Sequence, residues 1–466
     1  MTGEASKPAA AVTASESKTR QRWRQRFNRW RWHFSISRGM LDLTLVAAAW
    51  SIFAFGGVYT WAYTIAYFLL DLGVLFWAVQ WLRGRVRLRP DPLLIPVLAL
   101  LVWVAAQWLW VSPIPGRTLT SLLHVYAAAA VYFLVSQNFQ AREDSHWLGR
   151  RLAWLCGGLA WLGLVEWASG SHGIYWHFHY LLAKPFGPFV NADNFAACMT
   201  ALLPISALQV WHARHRPDYA LLWSAIPIVG MADIILSRSL SGLLTLGVEL
   251  VCMSFLFSIW RKREMKPAQG QERRSSKSGP EFRRRAARPW RLAGLGLLLL
   301  IILLRLTGLG PQALRLGHLQ TDVSTRQRLD LARSTLALWQ QRPWTGWGLN
   351  TWQPMYYHYA HLNTVAVFEY AHNDWLQWLA ETGIIGSVIA LLGLGWLAWT
   401  VRQKIRSPDR IGEKLSWAAT MGVGAVMLSS LAQFNMHLPA IMMVTSLLVG
   451  IMAAPVTSRR PGGGSH

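Results

Sequence analysis

Residues 369–386, EYAHNDWLQWLAETGIIG, place His372 beside polar residues where an amphipathic segment meets a membrane-length apolar run. Asn373 can cap a short helix that Gly383 closes, so His372 lies directly before the helix N-terminus. The positive end of the helix dipole favours a neutral imidazole, which is the form that accepts a proton. His372 is therefore a candidate general base. The alternative is a structural histidine that donates a hydrogen bond to a carbonyl at a helix start.

Two acidic residues flank this histidine, one on each side. Glu369 or Asp374 could accept a hydrogen bond from one ring nitrogen of His372 and leave the other nitrogen free to take a proton. The sequence does not choose between these two carboxylates. We also count both among the candidate substrate-binding residues.

Two arginines have the side-chain chemistry that a pyrophosphate requires. Arg238 lies in ILSRSLSG, a connection so short that its guanidinium must lie at the membrane interface, and Arg328 lies in STRQRLDLARSTLALWQQRPWTGWGLN. Each planar guanidinium can donate paired, charge-assisted hydrogen bonds to phosphoryl oxygens. We interpret both as candidate pyrophosphate ligands. The alternative is that they extend to lipid headgroups.

The segment around Arg328 predicts an interfacial helix. Over residues 326–341 the apolar side chains fall near one helical face, while the arginines spread over the others. Pro343 and the glycines that follow it are typical of a helix end. Arg326, at the start of this helix, is a second candidate for the phosphate contact.

Another polar group stands at the predicted outer start of a span, in GPFVNADNFAA, residues 187–197. Asn191 and Asn194 could bind a sugar hydroxyl or cap the helix that begins there, and capping is the preferred interpretation for Asn191. Lys184 precedes them in the same connection. We count Lys184, Asn191 and Asn194 as candidate substrate-binding residues.

Several histidines raise the question of a metal site. YWHFHY contains His177 and His179, and YYHYAH contains His358 and His361. Zinc would need a third ligand from a distant segment, so packing at the membrane interface is the preferred interpretation. The three cysteines show neither metal-ligand nor disulfide spacing: Cys156, Cys198 and Cys252. We expect no metal and no cofactor.

The elements that must position these residues are predicted by the apolar composition. Of 466 residues, 53% are hydrophobic and 15% are charged. At about twenty residues per span, the sequence predicts an all-α, polytopic membrane protein with about twelve transmembrane helices and a large periplasmic loop containing interfacial helices. The spans begin near Met40, Tyr59, Leu93, Leu119, Leu152, Asn191, Tyr219, Leu240, Leu292, Gly383, Lys414 and His437.

The formal charge of +24 has a topological explanation. Basic residues cluster in alternate connections, among them RGRVRLRP, HARHRPD and VRQKIRSPDR. The excess of Lys and Arg in cytoplasmic connections accounts for this pattern, so nucleic acid is not an expected partner, and contacts with membrane lipids are. No secretory signal is evident, and both termini are predicted to be cytoplasmic.

This topology predicts five regions along the chain. Residues 1–39 form a basic cytoplasmic tail, and residues 40–310 form spans 1 to 9, with a basic cytoplasmic loop at 261–291. Residues 311–382 form a periplasmic loop with the catalytic motifs. Residues 383–455 form spans 10 to 12, and residues 456–466 form a cytoplasmic tail.

Taken together, these motifs resemble the O-antigen ligase and polymerase superfamily of bacterial membrane glycosyltransferases, most closely O-antigen ligase. The matching pieces are GPFVNADNFAA, LSRSLSG, RLDLARSTLALWQQRPWTGWGLN and AHNDWLQWLAETGIIG, in that order. The resemblance covers roughly residues 187–386, and each motif is loose, whereas their shared order and spacing is more specific. The first five predicted spans contribute no motif to this resemblance, only their hydropathy.

The resemblance implies transfer of a glycan from undecaprenyl pyrophosphate to the lipid A core oligosaccharide during lipopolysaccharide biosynthesis. The reaction would be a metal-independent, inverting transfer on the periplasmic side of the bacterial inner membrane. The family's histidine falls on His372 and its two arginines on Arg238 and Arg328. The family often has an aromatic residue four positions after the second arginine, where this chain has Ala332, which leaves Arg326 as an alternative.

Other functions remain open at this stage. An O-antigen polymerase would use another carrier-linked glycan as acceptor, and a protein O-oligosaccharyltransferase would use a protein. A lipid-linked glycan transporter is an alternative from another class, with the same arginines lining a pathway. Acceptor identity separates the three enzymes, and no residue in the sequence indicates the acceptor.

Overall fold

The computed structural model describes residues 36–171, 173–180, 184–264, 323–358, 368–406 and 413–454. Within these ranges the chain is helical, and its only β-type pairings are two isolated bridges in the connection ahead of residue 192. The predicted all-α, polytopic fold is confirmed. The predicted tail at 1–39 lies almost entirely outside the described residues, as do most of the basic loop at 261–291 and the tail at 456–466.

Thirteen helices are described. In the first half of the chain they are α1 (Ile36–Phe53), α2 (Thr60–Leu82), α3 (Leu94–Ala106), α4 (Pro115–Asn138), α5 (Ala141–Ala168), α6 (Ala192–Ala213) and α7 (Pro217–Leu236). In the second half they are α8 (Leu240–Glu264), α9 (Val323–Gln341), α10 (Trp352–Tyr356), α11 (Asp374–Arg406), α12 (Glu413–Ser429) and α13 (Pro439–Ala453). A π-helical turn, Gln107–Val111, extends α3, and short 3-10 turns occur at Phe55–Gly57 and Asn435–His437.

Eight of these helices are long and apolar enough to cross a membrane: α1 to α4, α6 to α8 and α11. Of the other predicted spans, α5 has 28 residues and begins with several polar turns, while α12 and α13 have 17 and 15 residues. The span predicted near Leu292 lies outside the described residues. The count of twelve therefore stays a prediction.

Helix α6 is the centre of the bundle, since 83% of its apolar window is buried. It packs against α5, α7 and α12, and small residues allow these helices to approach closely. A Cβ at Gly422 of α12 would overlap the carbonyl of Ala201 in α6, and one at Gly230 of α7 would contact the sulfur of Met199. The close packing fixes the position of the α6 N-terminus, where the GPFVNADNFAA motif lies.

Connections between consecutive helices alternate between the two ends of the bundle. The Ser239 hydroxyl donates a hydrogen bond to the Asp193 carboxylate, which joins the α7–α8 connection to the start of α6. The ring of Phe434, between α12 and α13, packs against His372, just ahead of α11. These contacts place four segments that the topology assigns to one side at a single end of the bundle, which we call the His372 end.

The opposite end joins the remaining connections. Arg38 at the start of α1 donates to the Asp144 carboxylate in the first turn of α5 at 3.0 Å. The Lys404 ammonium near the end of α11 donates to the carbonyl of Ile451 in α13 at 3.1 Å. The alternation agrees with the predicted topology, while the assignment of this end to the cytoplasm stays a prediction.

Helix α11 is broken at Gly383, where φ is 66° and ψ is −170°. A positive φ of this size favours glycine, because a Cβ would clash with the backbone. The break separates an initial helical segment, residues 374–382, from the long membrane span that follows. The predicted short helix closed by Gly383 is confirmed.

The loop after α9 packs its backbone directly on this break. The amide of Gly348 donates to the Glu381 carbonyl at 2.8 Å, and the amide of Trp347 donates to the Ala380 carbonyl at 3.2 Å. Gly346 has a φ of 64°, and a Cβ there would overlap the Glu381 carbonyl. The glycines in RPWTGWGLN therefore permit contact between two backbones.

Helix α3 supplies the other partners of the break. The indole of Trp103 donates to the Thr382 carbonyl at 3.1 Å, and the amide of Gln107 donates to the Glu381 carbonyl at 2.8 Å. The same Gln107 amide donates to the Thr345 carbonyl at 2.7 Å. Each carbonyl that loses its helical partner thus finds another donor, as buried backbone requires.

Candidate active site

His372 lies in a turn that ends at the first residue of α11. Its φ is 51°, a left-handed conformation that is uncommon outside glycine. Asn373 follows as the cap, because its side-chain oxygen accepts a hydrogen bond from the amide of Leu376 at 3.1 Å. The predicted cap and the position of His372 ahead of the helix are therefore confirmed.

The imidazole of His372 is half-buried between two segments. The ring of Phe434 stands at 77° to it, with ring centroids 5.2 Å apart, and the side chain of Gln433 lies close enough to affect its protonation. Nδ1 of His372 is buried and has no hydrogen-bond partner among the described residues. A buried nitrogen without a partner is uncommon in proteins, so it marks His372 as a candidate functional residue.

The surroundings of His372 keep it neutral. Burial is the main cause that lowers the pKa of His372 below its ordinary value, and the positive charge of Arg328 lowers it further. Asp193 and Gln433 oppose these effects and are outweighed. The imidazole is therefore neutral near neutral pH, with one ring nitrogen protonated and the other able to accept a proton.

Arg328 is brought to this histidine by the packing of α9. Leu331, one turn further along α9, belongs to a buried cluster with Trp352 of α10 and Ala371, the residue directly before His372. This cluster fixes the face of α9 from which the Arg328 guanidinium acts on His372. The predicted helix is observed and spans Val323–Gln341, while its place at the membrane interface stays a prediction.

Arg238 lies in the turn between α7 and α8 with a φ of 56°, and its side chain is exposed. The next residue, Ser239, donates to the Asp193 carboxylate and accepts a hydrogen bond from the Gly242 amide at 3.1 Å. Because Asp193 also acts on His372, it connects the Arg238 turn to the histidine. The described contacts include none between Arg238 and His372 themselves.

The other residues predicted near α6 have different positions. Asn191 caps α6 by accepting a hydrogen bond from the amide of Asp193 at 2.8 Å, as preferred from sequence. Asn194 is 2% exposed, and its side-chain oxygen has no partner among the described residues. Lys184 is exposed, and its backbone carbonyl accepts a hydrogen bond from the amide of Ala192.

The two acidic candidates beside His372 do not contact it. Asp374 is bound elsewhere, since its carboxylate lies 2.8 Å from Nδ1 of His437 and accepts a hydrogen bond from the amide of Met436 at 2.9 Å. Glu369 is exposed, and no described contact joins it to His372. The suggestion that Asp374 orients His372 is therefore replaced by a contact with His437.

Two further predictions concern Arg326 and the metal ligands. The backbone of Arg326 lies in α9, but its side chain is outside the described residues. His177, His179 and His358 are exposed, and His361 lies outside the described residues. Across the described ranges no three His, Cys, Asp or Glu side chains form a group that could hold a metal ion.

Four residues of this site were not identified from the sequence. Asp193, Gln433, Phe434 and His437 approach His372 or its neighbours from α6 and from the α12–α13 connection. The segment QFNMHLP offered one signal, because polar residues directly before an apolar run suggest a structured turn. The contacts themselves join segments far apart in the chain, so local sequence patterns do not predict them.

The cations at this end are available for an anionic ligand. Considering only the residues that the structure describes, no carboxylate forms an ion pair with Arg238, Arg328 or Lys184. Arg333 on α9 differs, since it pairs with Asp330 at 3.2 Å. A neutral histidine beside unpaired guanidinium groups can accept a proton while an anionic leaving group is stabilised.

Comparison with known proteins agrees with this arrangement. No curated protein matches the chain. The chain matches a family model described as O-Antigen ligase over residues 225–391, which contain Arg238, Arg328 and His372, and this match confirms its resemblance to the O-antigen ligase superfamily.

Proposed function

We propose that the protein is an O-antigen ligase that transfers a polysaccharide from undecaprenyl pyrophosphate to the lipid A core oligosaccharide. The observation that supports this most directly is the neutral His372, with the charges of Arg328 and Asp193 acting on it. The family match over residues 225–391 supports the same class of reaction. The enzyme is thus a glycosyltransferase that uses a lipid-linked donor.

The proposed step is a displacement at the anomeric carbon of the donor. His372 takes the proton of the acceptor hydroxyl, and the hydroxyl oxygen forms the new bond to the anomeric carbon from the face opposite the leaving group. The bond from that carbon to the pyrophosphate oxygen breaks, and its electron pair leaves with the lipid pyrophosphate. The configuration at carbon is inverted.

Arg238 and Arg328 stabilise the departing pyrophosphate in this proposal. The two guanidinium groups come from separate segments, the α7–α8 turn and α9, and each can donate two hydrogen bonds to phosphoryl oxygens. Lys184, Asn194, Glu369 and Arg326 remain proposed substrate contacts. Asn191 and Asp374 have structural partners, and Asp374 is buried with its amide and both carboxylate oxygens bound, so we do not propose these two as substrate contacts.

The two arginines would replace the divalent cation that many pyrophosphate-using enzymes require. We therefore expect transfer to continue in excess chelator. Loss of activity in chelator, restored by one specific metal, would contradict this proposal and return attention to His177, His179, His358 and His361.

The acceptor determines which member of the superfamily this is. We propose lipid A core because the described chain is a helical bundle with short connections at the His372 end apart from residues 169–191 and 323–373. A polymerase would join two carrier-linked glycans, and a protein O-oligosaccharyltransferase would glycosylate a protein. A transporter would move the glycan without forming a bond.

The deciding experiment uses purified full-length protein in lipid nanodiscs with undecaprenyl-pyrophosphate-linked glycan. Lipid A core, a second carrier-linked glycan and a model protein acceptor are offered separately, and products are identified by mass spectrometry. Joined glycan and lipid A core supports the ligase. A joined product with only one of the other acceptors replaces this proposal with the corresponding enzyme, and no product with any acceptor contradicts the glycosyltransferase.

We further propose that the protein is a multi-pass protein of the bacterial inner membrane with cytoplasmic termini and a periplasmic His372 end. The excess of basic residues in the connections at the opposite end supports this orientation. The test is labelling of Lys184→Cys in intact cells by a membrane-impermeant maleimide, in a background lacking the native cysteines. Labelling only after cell lysis would reverse the orientation.

A further inference from the structure

A second histidine, His437, joins the first two turns of α11 to the connection that follows α12. Its Nδ1 lies 2.8 Å from Oδ1 of Asp374, and its Nε2 lies 3.7 Å from Oε2 of Glu381. The two acidic residues are seven positions apart, so they lie on the same face of α11. Their side chains are 7% and 1% exposed, which leaves His437 as the cation between two buried carboxylates.

Backbone contacts join the same two segments. The amide of Asp374 donates to the carbonyls of Ser430 and Gln433 at 2.9 and 3.1 Å. In the other direction, the amide of Met436 donates to Oδ2 of Asp374 at 2.9 Å. Asp374 therefore closes the 430–437 turn with its amide and with both carboxylate oxygens, and His437 is the side chain that binds it there.

This turn contains the two residues that pack against His372. Gln433 and Phe434 lie between the points at which Asp374 binds the turn. The ring of Phe434 stacks on Tyr370 at 4.5 Å with an interplanar angle of 16°, and Tyr370 contacts the His437 ring at 4.9 Å. The three rings therefore form a continuous contact from His437 to Phe434, which faces His372.

The electrostatics of the two histidines are opposite. Burial acts to lower the pKa of His437, but its hydrogen bond to Asp374 and its charge interactions with Asp374 and Glu381 outweigh burial and raise the pKa to about 10. His437 thus stays charged where His372 stays neutral. Removing the charge of His437 would leave two buried carboxylates without a cation, which is strongly destabilising for that contact.

We propose that His437 is a positioning residue that, by joining Asp374 and Glu381 to the 430–437 turn, holds Gln433 and Phe434 against His372 and keeps water from its ring. This rests on the proposed function, because it assumes that His372 is the base. His437 itself touches neither substrate nor reacting atoms. Its role is to keep His372 half-buried and in a fixed orientation.

The test replaces His437 by glutamine, which is uncharged and can donate to only one of the two carboxylates. The matched control is His212→Gln, which removes another half-buried histidine at the opposite end of the bundle, where His212 contacts His146 at 4.5 Å. Both full-length variants are compared with wild type in nanodiscs. Measurements are kcat and KM for the lipid-linked donor across pH, and hydrogen exchange of residues 368–382 and 429–438.

We expect His437→Gln to accelerate exchange in both segments together, because each loses the same contact. We expect kcat to fall by up to about 10²-fold with little change in donor KM, since a displaced catalytic group affects the chemical step. The acid limb of the pH profile should move to higher pH, because water reaching His372 reverses the main cause of its lowered pKa. His212→Gln should change none of these.

Two results would overturn the proposal. Faster exchange with wild-type kcat and an unmoved acid limb would show that the contact is structural only, and unchanged exchange would show that His437 does not join the segments. Should His437→Gln not fold, Glu381→Gln takes its place, because it removes one of the two carboxylates and leaves His437 bound to Asp374. For Glu381→Gln we expect faster exchange, a lower kcat and an acid limb at higher pH, each smaller than for His437→Gln. The absence of these changes would overturn the proposal.

Failure of the proposed function is distinguished by a parallel variant. Wild-type rates in His372→Ala would contradict the role of His372 as base. The exchange measurement does not depend on activity, so it still reports whether His437 joins the two segments. If His372→Ala is inactive while His437→Gln keeps the exchange, kcat and pH profile of the wild type, the positioning role alone is contradicted.

Discussion

At the end of the bundle opposite His372, arginines have acidic partners from neighbouring helices. Arg38 donates to the buried Asp144 carboxylate at 3.0 Å, and Arg151 lies 3.2 Å from Asp42. At the His372 end, Arg238 and Arg328 form no such pair with any residue in the described ranges. The same side chain therefore stabilises the fold at one end and remains available to an anion at the other.

The backbone shows the same contrast. Every non-glycine residue with a positive φ in the described part of the chain lies in a segment that belongs to the His372 end: Phe55, Tyr175, Trp176, Arg238, Asn350 and His372. Such conformations cost about 1–3 kcal/mol each and persist only when the surrounding structure fixes them. Two of the six are proposed catalytic residues, which indicates that the turns at this end are shaped for their side chains rather than for stability.

The largest effect should come from removing the base. We expect His372→Ala to lower transfer by roughly 10²–10⁴-fold, because a positioned general base contributes a factor of that order. His212→Ala, at the opposite end, should retain wild-type activity. Transfer is measured as product per folded protein, and near-normal transfer by His372→Ala would remove the proposed distinction between the two ends.

The next effect concerns the planar guanidinium groups. Arg238→Lys and Arg328→Lys keep the charge and lose the paired donors, so each should lower kcat by about 10-fold or more. Because both act on one leaving group, the double variant should cost less in free energy than the sum of the single variants. Rates are compared at matched expression.

Two results from the single and double arginine variants would contradict a shared pyrophosphate site. Wild-type rates in both single variants would show that these arginines only anchor their turns, as arginines do at the opposite end. Strictly additive losses would argue against a shared pyrophosphate site.

A smaller effect should appear in the pH dependence. Transfer requires neutral His372, so it should be lost as pH falls through the lowered pKa of His372, below the ordinary 6.5. Arg328→Gln removes a charge that lowers this pKa, so the acid limb should move to higher pH. The measurement is kcat/KM across pH for both proteins, and an unmoved or downward-shifted limb would place Arg328 away from His372.

The smallest effect on transfer should come from the opposite end. Arg38→Gln removes the cation that is bonded to the buried Asp144 and leaves it only the charge interaction with Arg89, so we expect a loss of stability of up to about 3–5 kcal/mol. Transfer per folded molecule should stay within about twofold of wild type, since Arg38 is far from the reacting atoms. Thermal unfolding and transfer are measured on the same preparation, and a large loss of specific activity would show that the two ends are coupled.

Features set by local sequence were predictable. The spans follow from apolar runs, the cap at Asn373 from its side chain, and the break at Gly383 from the glycine itself. The Arg238 turn was predictable because a short connection between two spans keeps its residues at the ends of those spans. Each of these depends on residues within a few positions of one another.

Features set by distant contacts were not predictable. Asp374 is the first residue after the cap, so the sequence offered it, with Glu369, as a partner of the neighbouring His372, whereas it binds His437, 63 positions away. Asp193 was not counted among the candidate site residues, but its carboxylate accepts a hydrogen bond from Ser239 in the Arg238 turn, and its charge acts on His372. A single sequence states which polar groups must find partners in a membrane, but not which partners the packing supplies.

The break at Gly383 also has a consequence for biogenesis. The carbonyls that lose their helical partners at this break accept hydrogen bonds from Trp103 and Gln107, which precede Thr382 and Glu381 by 279 and 274 positions. The ribosome therefore delivers these donors to the membrane long before their acceptors exist, and α3 must stay accessible until α11 arrives. The proposed reaction centre is completed only after α11 has been made, and a chain truncated before α11 leaves the donors of α3 without these acceptors in the membrane.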